Sequence, residues 1–161
     1  MRAGVRVGVD VGSVRVGVAA SDPAGLIASP VATLRRGRGD LDELAALVAE
    51  REALEVVVGL PTSLSGKPGP AAKAAERYAE ELAARVAPVP VRLVDERFST
   101  VTAGQNLRAA GRDTRKGRAV VDQAAAVIIL QSALDTERST EVAPGRTVGA
   151  GGTGDDVKVE E

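Results

Sequence analysis

The chain contains neither cysteine nor histidine, has no tryptophan, and carries a single tyrosine and a single phenylalanine. Without thiols there are no disulfides, no thiolate nucleophile and no cysteine-bound zinc or iron–sulfur centre. Without imidazole the commonest general base, the Ser-His and Cys-His nucleophile pairs and most transition-metal sites are excluded as well. Polar chemistry is then left to Asp, Glu, Lys or Tyr, and oxygen ligands alone favour a hard ion such as Mg²⁺ or Mn²⁺. The scarcity of aromatics speaks against a base-stacking platform for single strands and for readout of shape and backbone. There is no apolar run of the roughly 18 residues a membrane span needs, and no basic-then-apolar leader. The expectation is a cytoplasmic protein without a membrane partner.

What is present reads as one ordinary domain: 161 residues, 44% hydrophobic and 27% charged. Residues 4–10 and 14–20 are two Val-rich runs split by a Gly-Ser turn, and "LIASPVATL" at 26–34 follows a Pro-Ala-Gly turn, which predicts an antiparallel three-strand meander. Asp40 and Glu43 are spaced as a capping box ahead of a helical run ending near residue 52. "LEVVVGLP" at 54–61 reads as a buried central strand, and the next helix has Pro70 at its first position. "VPVRLVDE" makes a fifth strand, a Ser-Thr pair opens a short helix to about Ala110, and a long, nearly uncharged helix runs from about Arg118 to Leu134. From residue 136 the composition turns to Gly, Thr, Ser and acid without periodicity. That predicts a domain over 1–135 and a disordered, Gly-rich acidic tail over 136–161. The order βββαβαβαα is an α/β layer fold: a five-stranded mixed sheet flanked by helices.

Charge is placed unevenly. The tail holds six acids and three bases, so residues 1–135 carry eighteen bases against sixteen acids and are mildly basic. Between Arg97 and Arg118 six bases meet one acid, a setting suited to phosphate. Three acidic positions stand out against this: Asp10 closing the first strand, the Asp95-Glu96 pair closing the fifth, and Asp122 interrupting the apolar last helix. A carboxylate among valines is costly to desolvate unless a partner or metal meets it. With the first and fifth strands parallel, both acids lie at the carboxyl edge, where ligands of open α/β sheets bind. One intervening strand would separate their backbones by about 10 Å, close enough to flank one or two metals. On its helix Asp122 has Arg118, Ala119, Ala125, Ala126 and Ile129 as neighbours, and the alanines permit close approach to the sheet.

Four segments, "GVDVGSVRVGVAASD", "VVVGLPTSLSGKPGP", "DERFST" and "KGRAVVDQAAAVIIL", together resemble the signature blocks of the YqgF family, also called RuvX. The resemblance covers about residues 4–135. Proteins of that family are described as Holliday junction resolvases or pre-16S rRNA nucleases. The resemblance implies an RNase H-like fold, a bacterial cytoplasmic protein and phosphodiester cleavage aided by divalent metal, Mg²⁺ or Mn²⁺. It puts the catalytic and metal-holding acids on Asp10, Glu96 and Asp122. Related nucleases take an acid from strand four, but here that strand ends "VVVGLPTS" with none, so Glu96 or its neighbour Asp95 substitutes. Only one of two adjacent strand residues faces the site, and family match and reach favour Glu96. Arg15, Arg97, Arg115, Lys116 and Arg118 would then neutralise substrate phosphates.

The chain departs from the family where Val14 precedes Arg15 in place of a second basic residue, and where Ser63 follows "GLP" in place of Asn. The implied partner is nucleic acid, either a structured RNA precursor within a ribosomal precursor particle or a branched DNA. The first choice is 5′ maturation of pre-16S rRNA and the alternative is junction resolution, with a monomer or a homodimer both open. A junction resolvase would be a two-fold dimer. Two further readings compete. The first segment also resembles the first phosphate loop of actin, Hsp70 and sugar-kinase ATPases, but those enzymes close two such domains around ATP. A non-catalytic nucleic-acid-binding scaffold on the same fold would bind without metal-dependent cutting.

Overall fold

The computed structural model describes residues 2–61, 69–96 and 115–148, the side chains of 115–120 excepted. Strands β1 (Arg6–Val11), β2 (Arg15–Ser21) and β3 (Ala28–Arg35) lead into helix α1 (Asp40–Glu50) and strand β4 (Glu55–Leu60). Helix α2 (Pro70–Val86), strand β5 (Val91–Asp95), helix α3 (Arg115–Thr140) and strand β6 (Arg146–Val148) complete them. The six strands form one mixed sheet in the order β3-β2-β1-β4-β5-β6. β1, β2 and β3 are the expected antiparallel meander, and β4 lies parallel to both β1 and β5. The one intervening strand expected between the first and fifth is therefore β4.

Alternation along the strands sorts the residues onto two faces. Val7, Val9, Val16, Val18, Val56, Val58, Val91 and Leu93 pack against α1 and α2 in the larger core. Helix α2 meets them with Ala75, Tyr78, Ala79 and Leu82, the stripe that helical spacing presents on one side. On the opposite face Ala19, Val57 and Val94 pack beneath Ala126, Ile129, Leu130 and Ala133 of α3. Each fully buried Val or Leu contributes about 1.5–3 kcal/mol.

The structure departs from the sequence reading in three places. The capping box at Asp40 and Glu43 does not form. The chain enters α1 through Gly39 at φ 82°, the left-handed region, so Asp40 already lies inside the helix. Its carboxylate instead accepts the Gly37 N–H at 2.9 Å and the Tyr78 hydroxyl at 2.6 Å, which pins α1 to α2. Burial, reinforced by that bond, holds the Tyr78 hydroxyl far above its ordinary value. The only tyrosine is thus a structural donor.

The boundary expected at residue 135 also moves. Helix α3 continues to Thr140, and β6 pairs antiparallel with β5, making a sixth strand where five were expected. A three-residue strand is too short to show a period, and its pairing depends on the open edge of β5. Residues 149–161 of the expected tail lie outside the described residues, as do Arg97 and the short helix expected up to Ala110.

The third departure is a buried ionic cluster at the amino edge of the sheet, on the α3 face. Arg6, Glu55 and Glu137 are each under 5% exposed. Glu137 accepts from Arg2 Nη2 at 2.8 Å and Arg6 Nη2 at 3.2 Å, and Glu55 pairs with Arg2 and Arg92. Its guanidinium partners, Arg2 foremost, pull the Glu137 carboxyl down to about 2. Among the described residues no helix is long and apolar enough to cross a membrane.

Candidate functional site

Asp10 is the fifth residue of β1 and shares the α3 face with Arg6, four residues before it. Val7 and Val9 are fully buried, but Asp10 itself is half-buried, because it sits where the strand reaches the carboxyl edge. Its cost of desolvation is correspondingly lower than a central strand position would impose. The turn beyond it is closed by the Gly12 N–H donating to the Arg15 carbonyl at 2.9 Å.

Asp10 pairs with Gly17 of β2, and the β1–β4 register, which pairs Val9 with Val58, continues toward Gly59 on its other side. Both flanking glycines are required by close approach. A methyl group at Gly17 would overlap the backbone carbonyl of Asp122, so the helix backbone rests directly on the sheet beside Asp10. A methyl at Gly59 would lie 3.1 Å from Glu96 Cγ and 2.5 Å from Ile129 Cδ1. The alanines around Asp122 were legible as a thin helix face, but the matching glycines of the sheet were not singled out.

The same contact separates Asp95 from Glu96. Val94 packs beneath α3 whereas Leu93 packs toward α1 and α2, so the alternation carries Asp95 away from the α3 face and returns Glu96 to it. Glu96 reaches over Gly59, on the side where Asp10 and Asp122 lie. Both Asp95 and Glu96 are half-buried.

The Asp122 carboxylate accepts from Arg15 Nε at 2.8 Å. Arg15, expected to face phosphate, here orients an acid of the candidate site. Arg115, Lys116 and Arg118 belong to the first turn of α3, but their side chains lie outside the described residues, and Arg97 lies outside them altogether.

Whether this donor set suits a divalent ion turns on chemistry and on room. Asp10, Glu96 and Asp122 are hard oxygen donors from three separate elements on one face. At both glycines the neighbouring groups already occupy the space a side chain would take, so these positions bring α3 and Glu96 close to the sheet beside Asp10. Among the described residues no three carboxylates are grouped closely enough to grip an ion together, and Asp122 is engaged by Arg15. The donors fit a hard cation by type and by the face they share.

The close contact at Gly17 makes a prediction. Gly17→Ala is expected to push α3 off the sheet, destabilising the fold by about 3 kcal/mol through overpacking. Asp122 should shift with the helix backbone. Urea unfolding of the variant checks this, and an unchanged midpoint would show that the helix does not rest there.

The family profile described as "RuvX: Holliday junction resolvase" matches residues 4–136. A relative from a Nocardioides species is 61% identical over 153 residues, covering 92% of this chain and 98% of its own. Relatives from Thermobifida fusca and Streptomyces coelicolor are 59% and 57% identical; each alignment covers 92% of this chain, and 98% and 90% of the relatives. All three are provisionally described as pre-16S rRNA nucleases. Among solved structures, Thermus thermophilus RuvC bound to a Holliday junction substrate superposes with a TM-score of 0.57 at 13% identity, covering 90% of this chain and 99% of that one. RuvC from the same organism in a second structure gives 0.54 at 12% identity, over 89% and 99%. Likeness at that identity shows a shared α/β, RuvC and RNase H-like fold.

Proposed function

Because the chain belongs to the RuvX family, we propose that it is a divalent-metal-dependent nuclease that trims the 5′ end of pre-16S rRNA during ribosome assembly. The observation that carries the reading is that β1, the end of β5 and α3 present Asp10, Glu96 and Asp122 on one face of the sheet, with Gly17 and Gly59 allowing α3 and Glu96 to approach closely beside Asp10. Identities of 57–61% to relatives described as pre-16S rRNA nucleases favour RNA as the substrate. A ribosomal precursor as substrate puts the protein's work in the cytoplasm.

In this reading Asp10, Glu96 and Asp122 would hold Mg²⁺ or Mn²⁺. The ion would supply Lewis-acid stabilisation of charge developing on the scissile phosphate. The chain's own residues do the rest. β1 and α3 present their carboxylates from packed elements, so little order is lost on binding. Arg15 holds Asp122 in orientation between turnovers and supplies positive charge beside the phosphate when the pair opens. Arg97, Arg115, Lys116 and Arg118 are proposed to neutralise flanking phosphates. No histidine is needed.

Purified protein is expected to shorten a pre-16S transcript with Mg²⁺ or Mn²⁺ and to leave it intact in EDTA. A four-way DNA junction should be cut at least tenfold more slowly. The reverse preference would establish the second reading, junction resolution, which the description of the family profile favours. Metal-independent binding without cutting of either substrate would establish the scaffold reading.

A further inference from the structure

The described arginines and lysines divide into two groups. Arg2, Arg6, Arg15, Arg85, Arg92, Arg138 and Arg146 each pair with a carboxylate. Arg35, Arg36, Arg38, Lys73 and Arg77 have no such partner among the described residues, and with them only Arg51. Those five are not scattered. Arg35, Arg36 and Arg38 lie at or just past the end of β3, and Lys73 and Arg77 occupy the first two turns of α2, all at the carboxyl edge. Arg35, in register with Arg15 of β2, turns to the α3 face, whereas Arg36 lies over Tyr78 and with Lys73 and Arg77 belongs to the α1–α2 side. Elsewhere the described cations other than Arg51 are neutralised, so a run of unpaired charge here creates a positive field that ordinary surface pairing would have cancelled.

The surface beneath these residues is concave. One cleft of about 370 Å³ is lined by Pro70, Lys73 and Arg77. A second of about 150 Å³ is lined by Arg36, Arg77, Tyr78 and Glu81. They share Ala74 and Arg77, which makes one continuous groove. The nearby acids do not close it. Glu76 is held by Arg146, Asp40 is buried against Tyr78, and Glu81 stands a turn beyond Arg77 without pairing to it.

Arg36 joins this groove to the candidate site. Its Nη1 donates to the Gly12 carbonyl at 2.8 Å, two residues past Asp10, and its guanidinium lies 5.6 Å from the centre of the Tyr78 ring. The cation is thereby fixed in place beside the turn that follows Asp10. Among the described residues no aromatic face is open to a base, because Tyr78 is buried and its hydroxyl is taken. The groove therefore offers point charges on a curved surface, which is what a sugar-phosphate backbone accepts without regard to sequence.

We infer that Arg36, Lys73 and Arg77 form a second phosphate track, which holds the RNA backbone flanking the cut on the α1–α2 side of the sheet. For the identity of its ligand this rests on the nuclease reading. It adds a contact surface distinct from the basic segment between Arg97 and Arg118.

The test measures binding of a labelled pre-16S hairpin by fluorescence anisotropy, in EDTA so that nothing is cut, across a series of KCl concentrations. Each phosphate contact adds roughly 0.7–0.9 to the slope of log affinity against log salt. The pair Lys73→Glu with Arg77→Glu should reduce the slope by about 1.5 and weaken binding at least tenfold at low salt. The milder pair Lys73→Gln with Arg77→Gln should reduce the slope as much, which guards against an effect of misfolding. Arg51→Glu, an unpaired arginine at the opposite edge, should match wild type. An unchanged slope in both pairs, or an equal loss in Arg51→Glu, overturns the track. Restoring Mg²⁺ separates the two ideas. Groove-dependent binding without cleavage leaves the track standing and ends the nuclease reading, while cleavage with groove-independent binding does the reverse.

Discussion

Replacing Asp10 by Asn is expected to lower Mg²⁺-dependent cleavage of a pre-16S transcript by at least about a thousandfold, with the melting temperature within about 2 °C of wild type. The first figure follows from what is removed. An ion held by three carboxylates supplies several kcal/mol of transition-state stabilisation, and each 1.36 kcal/mol is a factor of ten. The second follows from location. Asp10 is half-buried at the strand end, and Asn keeps its volume, so no cavity or core charge is created. Glu96→Gln should behave similarly. Asp95→Asn should cut nearly as well as wild type, because alternation turns Asp95 to the other face. Wild-type rates from Asp10→Asn would sink the assignment of the site, and equal losses from Asp95→Asn and Glu96→Gln would sink the facing argument.

Much of this fold was legible because its elements announce themselves through period and punctuation. The two Val-rich runs around Gly12 and Ser13, the apolar run at 54–61 and Pro70 opening α2 all have local causes, and local causes survive folding. β6 has none. Arg146–Val148 becomes a strand because the far edge of β5 is open to it, and Val148 is buried only by the assembled core. The false capping box at Asp40 failed for the complementary reason. Its spacing was right, but Gly39 in the left-handed region set the helix start one residue earlier, and Tyr78 claimed the carboxylate.

The candidate site was half legible. The acids could be named from the sequence, since a carboxylate closing a strand or interrupting an apolar helix is conspicuous. Which of Asp95 and Glu96 faces α3 depends on Val94 packing under Ile129 and its neighbours, a tertiary fact. The roles of Gly17 and Gly59 were hidden for the same reason, because a strand glycine shows its purpose only when a helix lies on it. Arg15 is the instructive case. Its place after the turn suggested an open cation, yet it holds Asp122, and a single sequence does not distinguish a phosphate ligand from the partner of an acid.

Glu137→Ala is expected to destabilise the fold by about 3–5 kcal/mol, because it leaves the buried guanidinium of Arg6 without its counterion. The residue lay in a segment whose composition suggested disorder, yet it is 4% exposed and anchors the last turns of α3. That helix is fastened to the sheet by ion pairs near both ends, Asp122 to Arg15 at the carboxyl edge and Glu137 to Arg6 at the amino edge. Losing the second should therefore speed amide exchange in the last turns of α3 more than in β1. The pH dependence carries a distinct signature. The Glu137 carboxyl titrates near about 2 in the fold against 4.5 when unfolded, so the native state binds fewer protons between those values. Its contribution is fully present above about pH 4.5 and is lost as pH falls through about 2, a change of about 3 kcal/mol. Urea midpoints of wild type and variant should accordingly converge on acidification from pH 5 toward 2. A gap that stays constant over that range would show that the charge on Glu137, as opposed to its packing, contributes nothing.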